Sequence, residues 1–152
     1  MHSRLRQALI RRAVKLGFEA MNRGDFKAAF SPYDPGLEMI TDAKLRALGF
    51  ENVYHGVAGR MRFQERWQAE WRDFKYALDE VIVFGDNRLL VSGRLRGSGR
   101  SSGAGFETYW ADLLEISSAG SIVREHYWFD RNEALEALGL QGQAGLSLCG
   151  PR

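Results

Sequence analysis

The residues best suited to chemistry lie in the C-terminal third of the chain, where ionisable groups interrupt two apolar, aromatic segments. Strict alternation along the first segment places Asp112 and Trp110 on one side of a strand. The same alternation along the second segment groups Arg124, His126 and Trp128. Ionisable groups on an aromatic face indicate a ligand-binding pocket rather than a closed apolar core, because a buried charge is unfavourable unless it has a partner.

Asp112 is the leading candidate for proton transfer. Between Trp110 and Trp128 its pKa is expected to be raised, because desolvation penalises the carboxylate. An ion pair with Arg94 or Arg124 would instead keep it charged, and both interpretations stay open. The two arginines are themselves suited to bind a substrate carboxylate or to polarise a carbonyl, although alternation leaves the direction of Arg94 open.

Two further residues are candidate bases. His126 carries an imidazole that titrates near pH ~6.5, and the alternative is a hydrogen-bonded core histidine. Asp42 follows the apolar run LEMIT. It is either a general base with access to the pocket or an aspartate that bonds its own backbone at a loop start. Phe18 and Trp67 complete the predicted substrate contacts, although Trp67 belongs to an aromatic helix face typical of a core.

The elements that position these residues follow from periodicity and from helix breakers. Helical spacing predicts a first helix over 3–22 with an apolar stripe made of Leu5, Leu9, Ala13, Leu16 and Ala20 and widened by Ile10, Val14 and Met21. The later pattern predicts three more helices: a short one to Phe30, an aromatic one from 57 or 58 to 73, and a last one between Asp130 and Gly139. It also predicts a strand over 37–41 and antiparallel strands over 76–84, 88–96, 106–116 and 122–129. An exposed loop is expected over 97–105.

This order predicts one α+β domain over 1–140, followed by a flexible tail over 141–152. The chain has 152 residues, 45% hydrophobic and 26% charged, which is ordinary for a globular protein. A net charge of +2 argues against a nucleic-acid partner, and no apolar run approaches the ~20 residues of a membrane span. The lone Cys149 and the lack of a signal sequence favour the cytoplasm. Three scattered histidines predict no metal site, and no cofactor is expected.

Several motifs occur in a fixed order from about residue 5 to residue 140: MNRGDF, YHG before the aromatic helix, VSGRLRGSGRSSGAGFE, GSIVREHYWFD and RNEALEALG. With these motifs the chain resembles the SnoaL-like, polyketide cyclase-type branch of the ketosteroid isomerase-like, or nuclear-transport-factor-2-like, superfamily. The resemblance implies a cone-shaped fold, in which a curved, mostly antiparallel sheet wraps around three to four helices and encloses a pocket. It also implies a homodimer through the outer face of the sheet, where Tyr109 and Tyr127 are expected.

The resemblance also suggests roles for single residues. Asp112 matches a protonated aspartate that donates a hydrogen bond to an oxyanion in the isomerases, and Trp128 matches a pocket-lining tryptophan. Asp42 falls where the isomerases hold their general base, and His126 lies nearest to an acidic residue used in other branches. The position of a second hydroxyl donor on the first helix is Gly17 here. That departure argues against a true steroid isomerase and implies a wider pocket.

Three functions remain open on this basis. The first is a cofactor-independent acid–base enzyme that isomerises, cyclises or hydrates an apolar carbonyl compound. The second is a non-catalytic domain that binds a small apolar or aromatic molecule. The third is a dimeric interaction module whose own aromatic side chains fill the cavity. The superfamily resemblance does not choose among them, because one fold hosts many functions.

Overall fold

The helices and strands of this chain build one mixed sheet with helices on both of its faces. The computed structural model describes residues 2–142 and 146–147, and within these ranges it holds five α-helices and seven strands. The helices are α1 (His2–Asn22), α2 (Phe26–Ala29), α3 (Ala43–Ala47), α4 (Gly56–Glu70) and α5 (Arg131–Leu138). The strands are β1 (Tyr33–Thr41), β2 (Val53–His55), β3 (Trp71–Phe84), β4 (Arg88–Gly99), β5 (Gly105–Ile116), β6 (Ile122–Trp128) and β7 (Leu146–Ser147).

The strand order is β2-β1-β6-β5-β4-β3-β7, and only the β1–β6 pair among these described strands is parallel. The predicted α+β fold with a curved, mostly antiparallel sheet is confirmed. Strands β3 to β6 form the predicted antiparallel meander. The segment between the predicted strand over 37–41 and the aromatic helix contains α3 and β2, and β1 begins four residues earlier than expected, at Tyr33.

The Gly-rich segment 97–105 is shorter as a loop than predicted, because its glycines take part in the strands. Strand β4 continues to Gly99 and β5 begins at Gly105. A Cβ atom added at Gly97 would lie 2.6 Å from the ring of Phe106, so the strands can approach there only without a side chain. The segment therefore extends the hairpin, and the loop is limited to residues 100–104.

Helix α1 contacts the sheet through only one side of the wide apolar stripe that was predicted, the side that includes Ala20. Leu5, Leu9 and Leu16 are exposed. Ile10, Val14, Phe18 and Met21 instead belong to the core cluster that fills the space between the helices and the inner face of the sheet. The predicted stripe is therefore wider than the face of the helix that the sheet covers.

The two faces of the sheet carry separate clusters. The inner cluster includes Trp110, Leu114 and Tyr127 and packs against α1 and α4. The outer cluster consists of Ile82, Leu90, Ala111, Leu113 and Trp128 with α5 residues Ala134 and Leu135 and the following Leu140. Helix α5 begins at its predicted cap, where the Asp130 side chain accepts a hydrogen bond from the Asn132 amide, and it ends at Gly139.

Most of the predicted flexible tail over 141–152 lies outside the described residues. Within them, Leu146 and Ser147 pair with Val81 and Glu80 at the edge of β3. None of the helices in the described ranges has the length and apolar character needed to cross a membrane.

Candidate functional site

A β-bulge decides which side chains of β6 face the inside of the fold. The register between β5 and β6 shifts by one residue, and Val123 is skipped. Ile122 lies in the inner cluster before the bulge, and beyond it the buried inner residues are Glu125 and Tyr127. The bulge therefore reverses the alternation along the rest of the strand.

For this reason the predicted grouping of Arg124, His126 and Trp128 with Asp112 is wrong. Arg124 is 51% exposed and its guanidinium lies 3.6 Å from the Glu38 carboxylate. His126 stacks on Trp128, with ring centroids 3.9 Å apart, and Trp128 belongs to the outer cluster. Burial lowers the pKa of His126, which favours the neutral imidazole.

Asp42 and Arg94 also lie outside the pocket lining. The Asp42 carboxylate caps α3 by accepting a hydrogen bond from the Leu45 amide at 2.8 Å, and its second oxygen accepts one from the Phe129 amide at 3.3 Å. These contacts match the interpretation of Asp42 as an aspartate that accepts hydrogen bonds from backbone amides, and not the interpretation as a base in the pocket. Arg94 pairs with Asp79 at 3.1 Å on the outer face. The direction of Arg94, which the sequence left open, is outward.

Phe18, Trp67 and Trp110, three of the aromatic residues predicted to contact substrate, are packed into the inner core. Trp110 is fully buried and stacks on Phe18, with ring centroids 5.0 Å apart. Trp67 is buried against the rings of Phe50 and Phe129. Of these three predicted contacts, only Phe18 borders the pocket described next.

A pocket of about 150 Å³ lies between α1 and the inner face of the sheet. Its walls are mostly apolar, and among its described lining residues Asp112 and Tyr33 carry titratable groups. Gly17 borders the same space, and a Cβ atom added there would meet nothing within 4 Å. A wider groove adjoins the pocket and shares Ile10 and Leu89 with its walls, so the pocket opens toward solvent past α1.

A buried ion pair lies behind Asp112. Arg60 of α4 donates a hydrogen bond from Nε to Glu125 Oε2 at 3.0 Å, and the two side chains are 3% and 0% exposed. Burial alone would lower the pKa of Arg60, but the charge of Glu125 is chief among the effects that raise it overall. The guanidinium also lies over the rings of Phe30 and Phe63. Arg60 is thus a fixed cation inside the core.

Asp112 and Glu125 form a carboxyl pair. Their side chains lie within hydrogen-bonding reach, and burial, followed by the negative charge of Glu125, raises the pKa of Asp112 well above its ordinary value. Asp112 Oδ1 and Glu125 Oε1 are both buried without a hydrogen-bond partner. One proton shared between the two carboxyl groups would give both atoms a partner, with Arg60 compensating the remaining negative charge.

Asp112 was predicted from the sequence as a residue of this site, whereas Arg60, Glu125 and Tyr33 were not. A signal was present for Arg60, because it stands three and seven residues before Phe63 and Trp67 on the aromatic face of the helix. A charged residue at that spacing is expected to be buried and therefore paired. The partner, 65 residues away in the chain, was hidden by the bulge.

The raised pKa of Asp112 predicts a pH-dependent stability. The unfolded carboxyl ionises near its ordinary value of 3.8, whereas the folded one keeps its proton to higher pH. Its stabilising contribution is thus complete below that value and is lost as the pH rises toward the folded pKa. Relative to Asp112→Asn, the wild type should lose up to about 1.4 kcal/mol of unfolding free energy per pH unit in this window. Urea unfolding of both proteins at pH 5, 6 and 7 measures this, and a constant difference would contradict the shared proton.

Comparisons with known proteins identify the fold. No protein-family model matches the sequence, and no curated protein matches it. Among solved structures, a nuclear-transport-factor-2-like protein of unknown function from Burkholderia pseudomallei is 20% identical, with a TM-score of 0.69 over 82% of this chain and 93% of that one. TerC co-crystallised with polyporic acid is 18% identical, with a TM-score of 0.68 over 84% and 96%. A putative polyketide cyclase from Xanthomonas campestris is 16% identical, with a TM-score of 0.60 over 82% and 92%. The chain therefore has the nuclear-transport-factor-2-like fold that the resemblance implied.

Proposed function

We propose that the chain binds a compact, largely apolar carbonyl compound beneath α1 and that Asp112 exchanges a proton with it. The observation that carries this proposal is the position of Asp112. It lines an apolar pocket while its carboxyl group pairs with Glu125 behind it. An acid of raised pKa beside an apolar ligand is suited to proton transfer near neutral pH.

The carboxyl pair allows Asp112 to work in both directions. When Asp112 holds the shared proton, it donates to the ligand. When Asp112 is ionised, its carboxylate takes a proton from the carbon next to the ligand carbonyl. The C–H bond then breaks and its electron pair moves toward the carbonyl oxygen, which gives an enolate. Return of the proton to the same or another carbon completes exchange or isomerisation, and Arg60 offsets the negative charge of the pair throughout.

The volume of the pocket limits the group that reaches Asp112. A cavity of about 150 Å³ holds one benzene-sized ring, so the reacting part of the ligand is a single ring or a chain of similar size. Co-crystallisation of TerC with polyporic acid and the fold of the putative polyketide cyclase support a small molecule as the ligand class. Cyclohex-2-enone is a suitable probe, because it combines one ring with one carbonyl.

Binding of cyclohex-2-enone, followed through the methyl NMR signals of Val14, Leu114 and Ile122, tests the proposed pocket. Gly17→Leu should abolish these shifts because its side chain grows into the pocket, whereas Gly17→Ala should retain them. Both substitutions favour the helix over glycine, so the pair is matched for folding. Binding that is indifferent to Gly17→Leu would show that the enone lies elsewhere and would contradict the proposal.

The second function, binding without turnover, is favoured by a separate observation. Asp42 and His126, the two predicted bases, do not belong to the residues that line the pocket. Proton transfer would then depend on Asp112 alone. If Asp112 stays protonated, it cannot take a proton from the ligand, and the chain only binds it. Measured proton exchange on the bound probe distinguishes the two functions.

We also propose that the outer face of the sheet joins two copies of the chain. Tyr109 is 61% exposed on β5, between the ion pairs Arg94–Asp79 and Arg96–Glu107. A face that carries both charges is self-complementary under a two-fold axis. Tyr127, predicted beside Tyr109, faces inward and takes no part.

Light scattering coupled to gel filtration tests the proposed dimer. The wild type should have twice the chain mass of 17.2 kDa. Tyr109→Asp should give the monomer, because it places a charge at the centre of the contact, whereas Leu16→Asp on the exposed side of α1 should leave the dimer intact. A monomeric wild type would contradict the dimer without affecting the pocket.

A further inference from the structure

The side of α1 that faces away from the sheet carries a line of leucines. Leu5, Leu9 and Leu16 are 64%, 59% and 53% exposed. At about 3.6 residues per turn, the three side chains lie within about 40° of one another around the helix, on the far side from the residues that pack in the core. A single exposed leucine is ordinary, but three in one line form the contiguous apolar surface that marks an interaction site.

Positive charge is concentrated on the same helix. Helix α1 has five cationic residues against one carboxylate, Glu19, so it carries a net charge of +4, whereas the whole chain carries +2. The cations are Arg4, Arg6, Arg11, Arg12 and Lys15. The remainder of the chain is therefore net negative, and the positive charge of this protein is a property of α1.

Contacts within the chain do not neutralise this charge. Of the five cations, only Lys15 has an ion pair among the residues that the structure describes, to Glu19 at 4.0 Å, and this pair is exposed. Arg6 donates to the backbone carbonyl oxygen of Asp86 at 2.8 Å, which is a neutral acceptor. Arg11 and Lys15 lie four residues apart, where like charges destabilise a helix. An anionic partner outside the chain would relieve this repulsion.

The charge and the packing of α1 together limit the kind of partner. A second copy of the helix is disfavoured, because two net charges of +4 would repel each other. A groove that encloses the helix cannot form, since the other side of α1 packs against the sheet. An extended surface with anionic groups above an apolar layer fits both features. A bilayer that contains anionic lipids is such a surface.

We propose that α1 docks the chain on the surface of an anionic membrane without crossing it. The three leucines enter the boundary of the acyl chains, and the long cationic side chains beside them reach the lipid phosphates. This inference goes beyond the proposed function and does not depend on it. Leu9 also lines the groove that adjoins the pocket, so docking places that groove beside the lipid, from which an apolar ligand can enter.

Co-sedimentation with vesicles tests the docking. The wild type should bind vesicles of phosphatidylcholine mixed with phosphatidylglycerol at least about tenfold more tightly than vesicles of phosphatidylcholine alone. Binding to the mixed vesicles should weaken as salt is added, because salt screens the attraction to the headgroups. Equal binding to both kinds of vesicle would contradict the role of the cations.

Substitution of the leucines separates docking through this stripe from simple attraction between charges. Leu5→Gln combined with Leu16→Gln should weaken binding to the mixed vesicles about tenfold or more, because it removes the apolar contact and keeps every charge. Neither residue lines the pocket or the adjoining groove. Leu48→Gln is the matched control, because Leu48 is similarly exposed at the end of α3, and it should leave binding unchanged.

Substitution of two cations tests the charge in the same assay. Arg12→Gln combined with Lys15→Gln should weaken binding to the mixed vesicles about tenfold. Arg62→Gln combined with Arg66→Gln removes the same net charge from exposed positions on α4 and should have a much smaller effect. Equal losses from the two pairs would show that the net charge of the chain matters and not its place on α1, and would overturn the inference.

The remaining outcomes are equally decisive. Binding that the two leucine substitutions leave unchanged would overturn docking through this stripe. Absence of vesicle binding by the wild type would overturn it as well, and would leave an acidic protein surface as the partner that the same charges fit. These experiments use no pocket ligand. Failure of docking therefore leaves the pocket assignment intact, and failure of enone binding leaves the docking intact.

Discussion

Replacement of Arg60 by methionine is expected to lower the free energy of unfolding by about 3–5 kcal/mol, because it leaves a buried carboxylate without its cation. Glu125 is completely buried and its charged partner within hydrogen-bond distance is Arg60. Methionine keeps an unbranched apolar side chain and removes the guanidinium that lies over the rings of Phe30 and Phe63, so the loss reports mainly the charge. Urea unfolding followed by circular dichroism at pH 7 measures the effect.

Two companion variants give the Arg60 result its meaning. Arg60→Met combined with Glu125→Gln should recover most of the loss, because no unpaired charge remains in the core. Arg66→Met removes an ion pair from the same helix, to Glu70 at 2.8 Å, but this pair is exposed and should change the unfolding free energy by less than about 1 kcal/mol. Similar losses for Arg60→Met and Arg66→Met would show that the buried pair is not the source of the effect.

The parts of this fold that the sequence predicts are those governed by local rules. Periodicity and capping residues located α1 and α5, and two apolar runs separated by residues 85–87 located the β3–β4 hairpin. The inward placement of Asp112 and the direction of its pKa shift also follow from alternation and burial along β5. These features depend on residues a few positions apart, which a pattern in the sequence can show.

The errors arise where one residue or one distant contact reverses a local rule. Val123 adds a single residue to β6 and exchanges the inner and outer faces of the strand, so Glu125 replaces Arg124 and His126 at the site. Nothing in the alternation of the segment marks that bulge. The Arg60–Glu125 pair joins two charges from separate elements. Burial of either charge alone would be unfavourable, and the sequence does not show that the two lie side by side.

The observed orientation of the β6 side chains changes the proposed chemistry of the site as well as the residues that form it. With His126 and Asp42 outside the pocket lining, acid and base can no longer be assigned to separate side chains there. A carboxyl pair with one shared proton supplies both capacities at one position, as long as a nearby cation stabilises its charge. The buried Arg60 is that cation, so the stability of the core and the chemistry of the pocket depend on the same contact.

Asp112→Asn is expected to slow α-proton exchange of bound cyclohex-2-enone by a factor of about 10² to 10⁴, the usual contribution of a positioned acid–base group. The amide preserves the size of the side chain and still donates a hydrogen bond, but it does not accept a proton from carbon near neutral pH. Exchange is measured in D₂O at saturating enone from the decay of the α-proton NMR signals. Binding shifts recorded on the same samples show how much enone occupies the pocket.

His126→Ala is the control that separates the corrected site from the predicted one. His126 stacks on Trp128 of the outer face, so its removal should leave the exchange rate per bound enone unchanged. Loss of exchange in His126→Ala with full exchange in Asp112→Asn would place the base outside the pocket and contradict the carboxyl pair.

Saturable binding without exchange in the wild type would assign the chain to the second function, a binding protein. In that case the shared proton only lets the Asp112 carboxyl group remain neutral against an apolar ligand, because a charged carboxylate there would oppose binding.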